Sequence, residues 1–323
     1  MTSEALTVVQ RLRAAGLVSE PLAARLARIA RAELVSVRTE LRLALYAGAL
    51  LVAAGVGVLV QENLRRLGAL TIAVSLTLAV ASCFFWVARH APRFTWGEAP
   101  ASHLAFDYIL LLGVLLGASD LAFVEARWTP LGPAWPWHLL FVSLATALVA
   151  VRYDSRILFS LSLTTFAAWR GVSIGLGLRG IGRLIDASGR LRADAIGCAL
   201  LFLLVGLFLL RTGRKAHFEP VATHLGWLLL LGSFVSGIGT SGAVELVWTL
   251  ALLVTGVALA SGAARARRFA LFALGVVAAF VAVSALFHRL DPPLVVAAGW
   301  YFLASVALLA GLAWAQRRLR EEA

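Results

Sequence analysis

Ten ionisable residues of this chain sit where an otherwise apolar sequence has little reason to keep them. Glu62, Asp120, Glu125, His138 and Arg170 fall near the ends of long uncharged stretches on one side, and His103, Asp107, Arg152, Asp154 and Arg156 fall near the ends on the other. Carboxylate, imidazole and guanidinium groups placed this way can neutralise one another, relay a proton, or line a path for an ion or polar solute. His103 and Asp107 are spaced i,i+4, so a helix puts them on one face. That is a weak metal or relay signal and more commonly a polar pair at a helix end. His138 with Glu125, and His288 with Asp291, can meet only through tertiary folding.

Other chemistry is poorly served. Gly175-Leu176-Gly177-Leu178-Arg179-Gly180 matches GxGxxG by letter but lacks the preceding strand and βαβ unit that would seat a pyrophosphate on a helix N-terminus. These glycines more simply loosen or end a helix. Lys215, the only lysine, lies in RTGRKAHF without a glycine-rich phosphate loop. Ser160, Ser162, Ser233 and Ser236 show no nucleophile elbow, and hydroxyls in such segments usually bond backbone carbonyls or neighbouring helices. No cofactor, metal or catalytic group is expected.

Composition sets the elements that must carry these residues. The 323-residue chain is 61% hydrophobic and 14% charged, with a mean hydropathy of +0.88, against roughly 25% charge in soluble domains. It reads as an all-α, polytopic transmembrane bundle. The net charge of +12 would suit a nucleic-acid binder only if it formed a patch; here the basic residues lie mostly between apolar blocks, so topology explains them and nucleic acid is excluded as a partner. Cys83 and Cys198 each sit inside an apolar block, which favours packing over a disulfide.

Ten spans follow from length and apolarity: Leu43 to Val60, Leu67 to Ala88, Leu104 to Val124, Trp137 to Val151, Ile157 to Leu178, Ala195 to Leu210, Val221 to Gly239, Val244 to Ser261, Phe269 to Phe287 and Leu294 to Ala315. Before them, Ser3 and Ser19-Glu20-Pro21 can cap two short helices separated at Gly16, with Leu22, Leu26, Ile29, Leu34 and Val37 along one side of the second. The organisation is a cytoplasmic helical hairpin over 1–41, one transmembrane bundle over 42–316 and a short cytoplasmic tail over 317–323.

The fifth span tests this count. Ile157 to Trp169 is uncharged but too short to cross about 30 Å of hydrocarbon, so the span must continue past Arg170. With ten spans and both termini cytoplasmic, 20 of the basic residues lie inside and 9 outside; deleting the fifth span makes this 17 and 12. The ten-span arrangement obeys the positive-inside rule better. The outer segment with Arg170, Arg179, Arg183, Arg190 and Arg192 still runs against it.

An unpaired arginine at a span centre costs about 2.5 to 3.5 kcal/mol on insertion scales, so Arg170 should snorkel or find an acid. Depth along the third and fifth spans matches Asp120 with Arg170 and Asp107 with Arg156, each set about 20 Å apart. The aspartates differ by about 140° around their helix and the arginines by about 40°, so only one pair can form along a common interface. Asp120 with Arg170 is the favoured pair, leaving Asp107 for Arg152, Arg156 or His103. Gly113-x-x-x-Gly117 in the third span permits close helix packing.

Several stretches together resemble a bacterial membrane family known as domain of unknown function 2157. RLRAAGLVSEPLAARLARIARAE looks like its opening helical hairpin, and LYAGALLVAAGVGVLVQENLRRLG is similar to its first span and outer turn. FDYILLLGVLLGASDLAFVEARW, PAWPWHLL and RYDSRILFSLSLTTFAAWRG look like the central part of one branch, so the likeness covers roughly residues 8 to 175. The sequence departs from it at Gln61-Glu62-Asn63-Leu64, where many members place an Asn-Trp pair. The resemblance implies a multi-pass inner-membrane protein, supplies no activity, and directs attention to Glu62, Asp107, Asp120, Glu125, His138, Asp154 and Trp169.

The expected protein is therefore a non-enzymatic, multi-pass protein of the bacterial cytoplasmic membrane. Its partners are the bilayer and a protein or anionic lipid at the hairpin. A small-solute transporter or ligand-binding membrane protein is the alternative, favoured if the outer ionisable groups share a polar cavity reaching past mid-membrane. A lipid-modifying enzyme would need a converging nucleophile or metal ligands, which the sequence lacks.

Overall fold

The computed structural model describes residues 13–14, 16, 19–20, 38–99, 105–177, 184–240 and 242–321. Among these there are ten α-helices and no strand. They are α1 (Arg38–Leu67), α2 (Ala69–His90), α3 (Phe106–Trp128), α4 (Pro136–Tyr153), α5 (Arg156–Gly177), α6 (Leu184–Thr212), α7 (Glu219–Ile238), α8 (Ala243–Arg265), α9 (Phe269–His288) and α10 (Leu294–Glu321). Pro136 and Pro220 open α4 and α7, where the missing N–H costs nothing. The expected hairpin over residues 1–41 lies almost wholly outside the described residues.

Eight helices are long and apolar enough to cross a membrane: α2, α3, α4 and α6 to α10. The apolar part of α1 is shorter, Ala44–Leu59. Arg170 does not break α5, which runs as one helix of 22 residues, about 33 Å long. Large apolar side chains cover the outside: Leu148 is 73% exposed, Leu294 85% and Leu51 71%. Water would not tolerate such faces, whereas lipid does. Trp128, Trp135, Trp137 and Trp314 are also exposed, as interfacial anchors require.

Two compact units make up the chain. The first comprises residues 1–87 and 104–119. In it α2 meets the first half of α3, with Val87, Phe106 and Leu110 fully or almost fully buried. Gly113 faces Cys83 and Phe84, and Gly117 faces Val80, so the GxxxG pattern does mark close packing.

The second unit, residues 88–103 and 120–323, is built from helix pairs, of which α8 with α9, α6 with α7, and α4 with α5 pack most extensively. Its core joins Leu231 of α7, Leu252 and Leu259 of α8, and Leu271, Ala278 and Ala282 of α9. Where α8 crosses α9, a Cβ on Gly275 would stand 2.6 Å from the Ala260 nitrogen and the Gly256 oxygen. Only glycine lets those backbones approach so closely.

Candidate functional site

Both ends of the second unit are closed by polar contacts. At the end where α4 turns into α5, Asp154 ends α4 in the left-handed conformation (φ 63°), and its N–H bonds Ala150 O. Lys215, before α7, is left-handed too (φ 49°). A non-glycine residue holds such a backbone only when its surroundings enforce it. Here Lys215 N–H donates to Trp96 O at 2.7 Å and Lys215 Nζ donates to Asp154 Oδ1 at 2.6 Å. Ala99 N–H donates to the other carboxylate oxygen at 2.6 Å, and His217 Nε2 lies 2.8 Å from Oδ1.

All three side chains are buried. Burial alone would push the Asp154 carboxyl up; the Lys215 and Ala99 hydrogen bonds and the charges of His217 and Lys215 outweigh it and hold the group below the usual carboxylate range. Beside this cluster Arg156 bonds Glu98 at 2.7 Å, and Glu219 accepts from Arg268 at 2.6 Å and from Thr223 at 2.9 Å. The arrangement ties the segment 94–99, the α4–α5 turn and the α6–α7 turn together. Its ionic groups are spent on one another, so it reads as a latch rather than a reaction centre.

The opposite end is different. α5, α6 and α7 leave a cavity of about 630 Å³ between them, within the range of ordinary ligand sites. Its walls follow helical spacing: Thr164, Ala167 and Gly171 from α5, Leu191, Ala195, Cys198 and Phe202 from α6, and Leu225, Leu229, Gly232 and Ser236 from α7. Small residues at Ala167, Gly171, Ala195 and Gly232 are what leave the space. Arg192 and Asp194 sit at its polar end, and the walls beyond them are mostly apolar, with the hydroxyls of Thr164 and Ser233 among them.

Arg192 is 7% exposed. Its Nη2 donates to Ser236 O at 2.9 Å, its Nε to Ser236 Oγ at 3.3 Å, and the guanidinium lies 5.0 Å from the Trp248 ring centre. No carboxylate among the described residues forms an ion pair with it. Asp194, two residues on, is committed to Arg170, which bonds it directly and lies over the Trp169 ring. A second cavity of about 390 Å³ lies on the far side of Asp194 and Cys198, lined also by Leu140, Phe166 and Trp169.

The expected site residues therefore separate. Glu125 and His138 do meet through the fold: Glu125 Oε2 lies 2.5 Å from His138 Nδ1, a close contact without the alignment of a hydrogen bond, with both side chains largely buried. Arg170 takes Asp194 as its acid, in place of the favoured Asp120, because α5 and α6 are adjacent antiparallel helices and these residues stand at the same level. Arg156 takes Glu98, and Arg152 lies over the Tyr153 ring at 5.0 Å. Asp154 meets Lys215 and His217, neither of which was singled out with it. Glu62 falls in α1 with its side chain outside the described residues, as His103 is altogether.

Three of the four span serines behave as expected. Ser160 bonds Ile157 O, Ser233 bonds Leu230 O and Ser236 bonds Ser233 O, each satisfied by its own helix. No group of three or more His, Cys, Asp or Glu side chains among the described residues could hold a metal ion. No family model matches the chain, and neither a curated protein nor a solved structure does.

Proposed function

We propose that this is a ten-span protein of the bacterial cytoplasmic membrane, akin to the domain of unknown function 2157 family, which acts by binding a ligand rather than by catalysis. Both termini lie in the cytoplasm, and the hairpin over 1–41 is a contact site for a protein or anionic lipid. The ligand site is the cavity between α5, α6 and α7, in the outer half of the bundle. The positive-inside tally and the 33 Å reach of α5 support the span count.

One observation carries the binding reading: a buried guanidinium, Arg192, stands at the mouth of a cavity of about 630 Å³ and forms no ion pair with an acid among the described residues. Keeping a buried charge uncompensated is costly, and a ligand that compensates it removes the cost. The same placement accounts for part of the excess of outer arginines, since Arg170 bonds Asp194 and Arg192 bonds Ser236. A small polar solute is disfavoured, because the wall beyond Asp194 is built from Phe202, Leu225, Leu228 and Leu229.

Filling the groove tests this. Native mass spectrometry of the protein released from its membrane should show a bound small molecule that Gly232→Trp removes without altering helix content. A wild-type protein carrying nothing, or a Gly232→Trp variant carrying as much as wild type, would refute the binding reading.

A further inference from the structure

The polarity of the groove says more than its size. Two ionised groups line its head, Arg192 and Asp194, and Asp194 is already neutralised by Arg170, leaving one net positive charge. Arg192 uses two donors on Ser236, and a guanidinium has five N–H. The remaining donors suit a phosphate or carboxylate oxygen, which guanidinium groups bind in a fixed fork.

Below the head the walls are mostly hydrocarbon, broken by Thr164 and Ser233. From Arg192 to Phe202 on α6, and from Ser236 to Leu225 on α7, the groove runs about 15 Å, half the hydrocarbon thickness and the depth of one leaflet. Its rim lies on the side of α7 rather than at a helix end: Leu228 is 56% exposed, and Gly232 and Ser236 are exposed too. An occupant can therefore slide in from the lipid without crossing the aqueous face.

We propose that the groove binds an anionic membrane phospholipid, its phosphate against Arg192 and one acyl chain along Phe202, Leu225 and Leu229. This rests on the binding reading above and names the ligand class. Lateral admission keeps the chain in hydrocarbon throughout, and the head exchanges interfacial water for a guanidinium that has no counter-ion among the described residues. A zwitterionic head would bring its own ammonium beside Arg192 and lose that advantage.

The test is a titration of the delipidated, purified full chain, followed by native mass spectrometry, with phosphatidylglycerol, with phosphatidylcholine of the same acyl chains, and with inorganic phosphate. Wild type should bind phosphatidylglycerol about tenfold or more tighter than phosphatidylcholine, the scale of one charge-assisted contact, and should not retain phosphate alone. Arg192→Gln should abolish the preference and Arg192→Lys should keep it, both with unchanged helix content; Gly232→Trp should lose both lipids. Equal affinity for the two lipids, retention of phosphate without a chain, or a preference surviving in Arg192→Gln overturns the anionic-lipid assignment and leaves a groove that binds something else. Binding undiminished in Gly232→Trp, or no lipid bound at all, overturns the groove itself.

Discussion

Asp154 and Lys215, 61 residues apart in the chain and both in the left-handed backbone region, are joined by a 2.6 Å charge-assisted hydrogen bond inside the protein. Each thereby fixes the other's turn. Removing one partner of a buried ion pair leaves the other charge uncompensated and costs about 3 to 5 kcal/mol. Asp154→Asn and Lys215→Met should each lower the unfolding temperature in detergent, and the double variant should lose much less than the sum of the two.

The same carboxylate gives the fold an acid limit. Its folded pKa is depressed, below an unfolded value near 3.9, so its stabilisation is complete above about pH 4 and fades as pH falls through the depressed value. Thermal unfolding of wild type should decline below about pH 4 more steeply than that of Asp154→Asn. Parallel slopes would show that Asp154 carries no such linkage.

Gly275→Leu attacks the closest backbone approach in the second unit. The added carbon would collide with backbone atoms of Ala260 and Gly256, which cannot rotate away, and overpacking typically costs about 1 to 3 kcal/mol. The expected result is a lower unfolding temperature. Gly232→Leu, where nothing lies near the added carbon, should leave it almost unchanged.

Arg170 offers a choice between two acids. In double-mutant cycles read by unfolding, Asp194→Asn with Arg170→Gln should be non-additive by about 1 kcal/mol or more, while Asp120→Asn with Arg170→Gln should be additive. Coupling to Asp120 instead would restore the pair expected from depth.

The helices were legible because apolar runs and prolines mark them, and α5 does run on through Arg170, as the shortness of the uncharged stretch before it leads one to expect. The acid for Arg170 was not, because Asp194 looks like part of an outer loop when the sixth span is begun at Ala195; α6 in fact starts at Leu184 and carries Arg192 and Asp194 inside the helix. The groove left a trace in the 4-3-4 spacing of Leu191, Ala195, Cys198 and Phe202, but the same spacing serves any packed face. Lys215 carried no motif at all: its role depends on a left-handed turn and on a partner far away in sequence. The division into two units is likewise invisible in a pattern of uniformly apolar spans.

The most direct measurement concerns the side of the membrane on which the groove opens. In a background with Cys83→Ser and Cys198→Ala, Arg190→Cys beside Arg192 and Arg214→Cys beside Lys215 would be exposed separately to a membrane-impermeant maleimide in spheroplasts. Residue 190 should be labelled from outside and residue 214 only after lysis. Labelling of residue 214 in intact spheroplasts, with residue 190 protected until lysis, would mean that α5 does not cross as described and that Arg192 faces the cytoplasm.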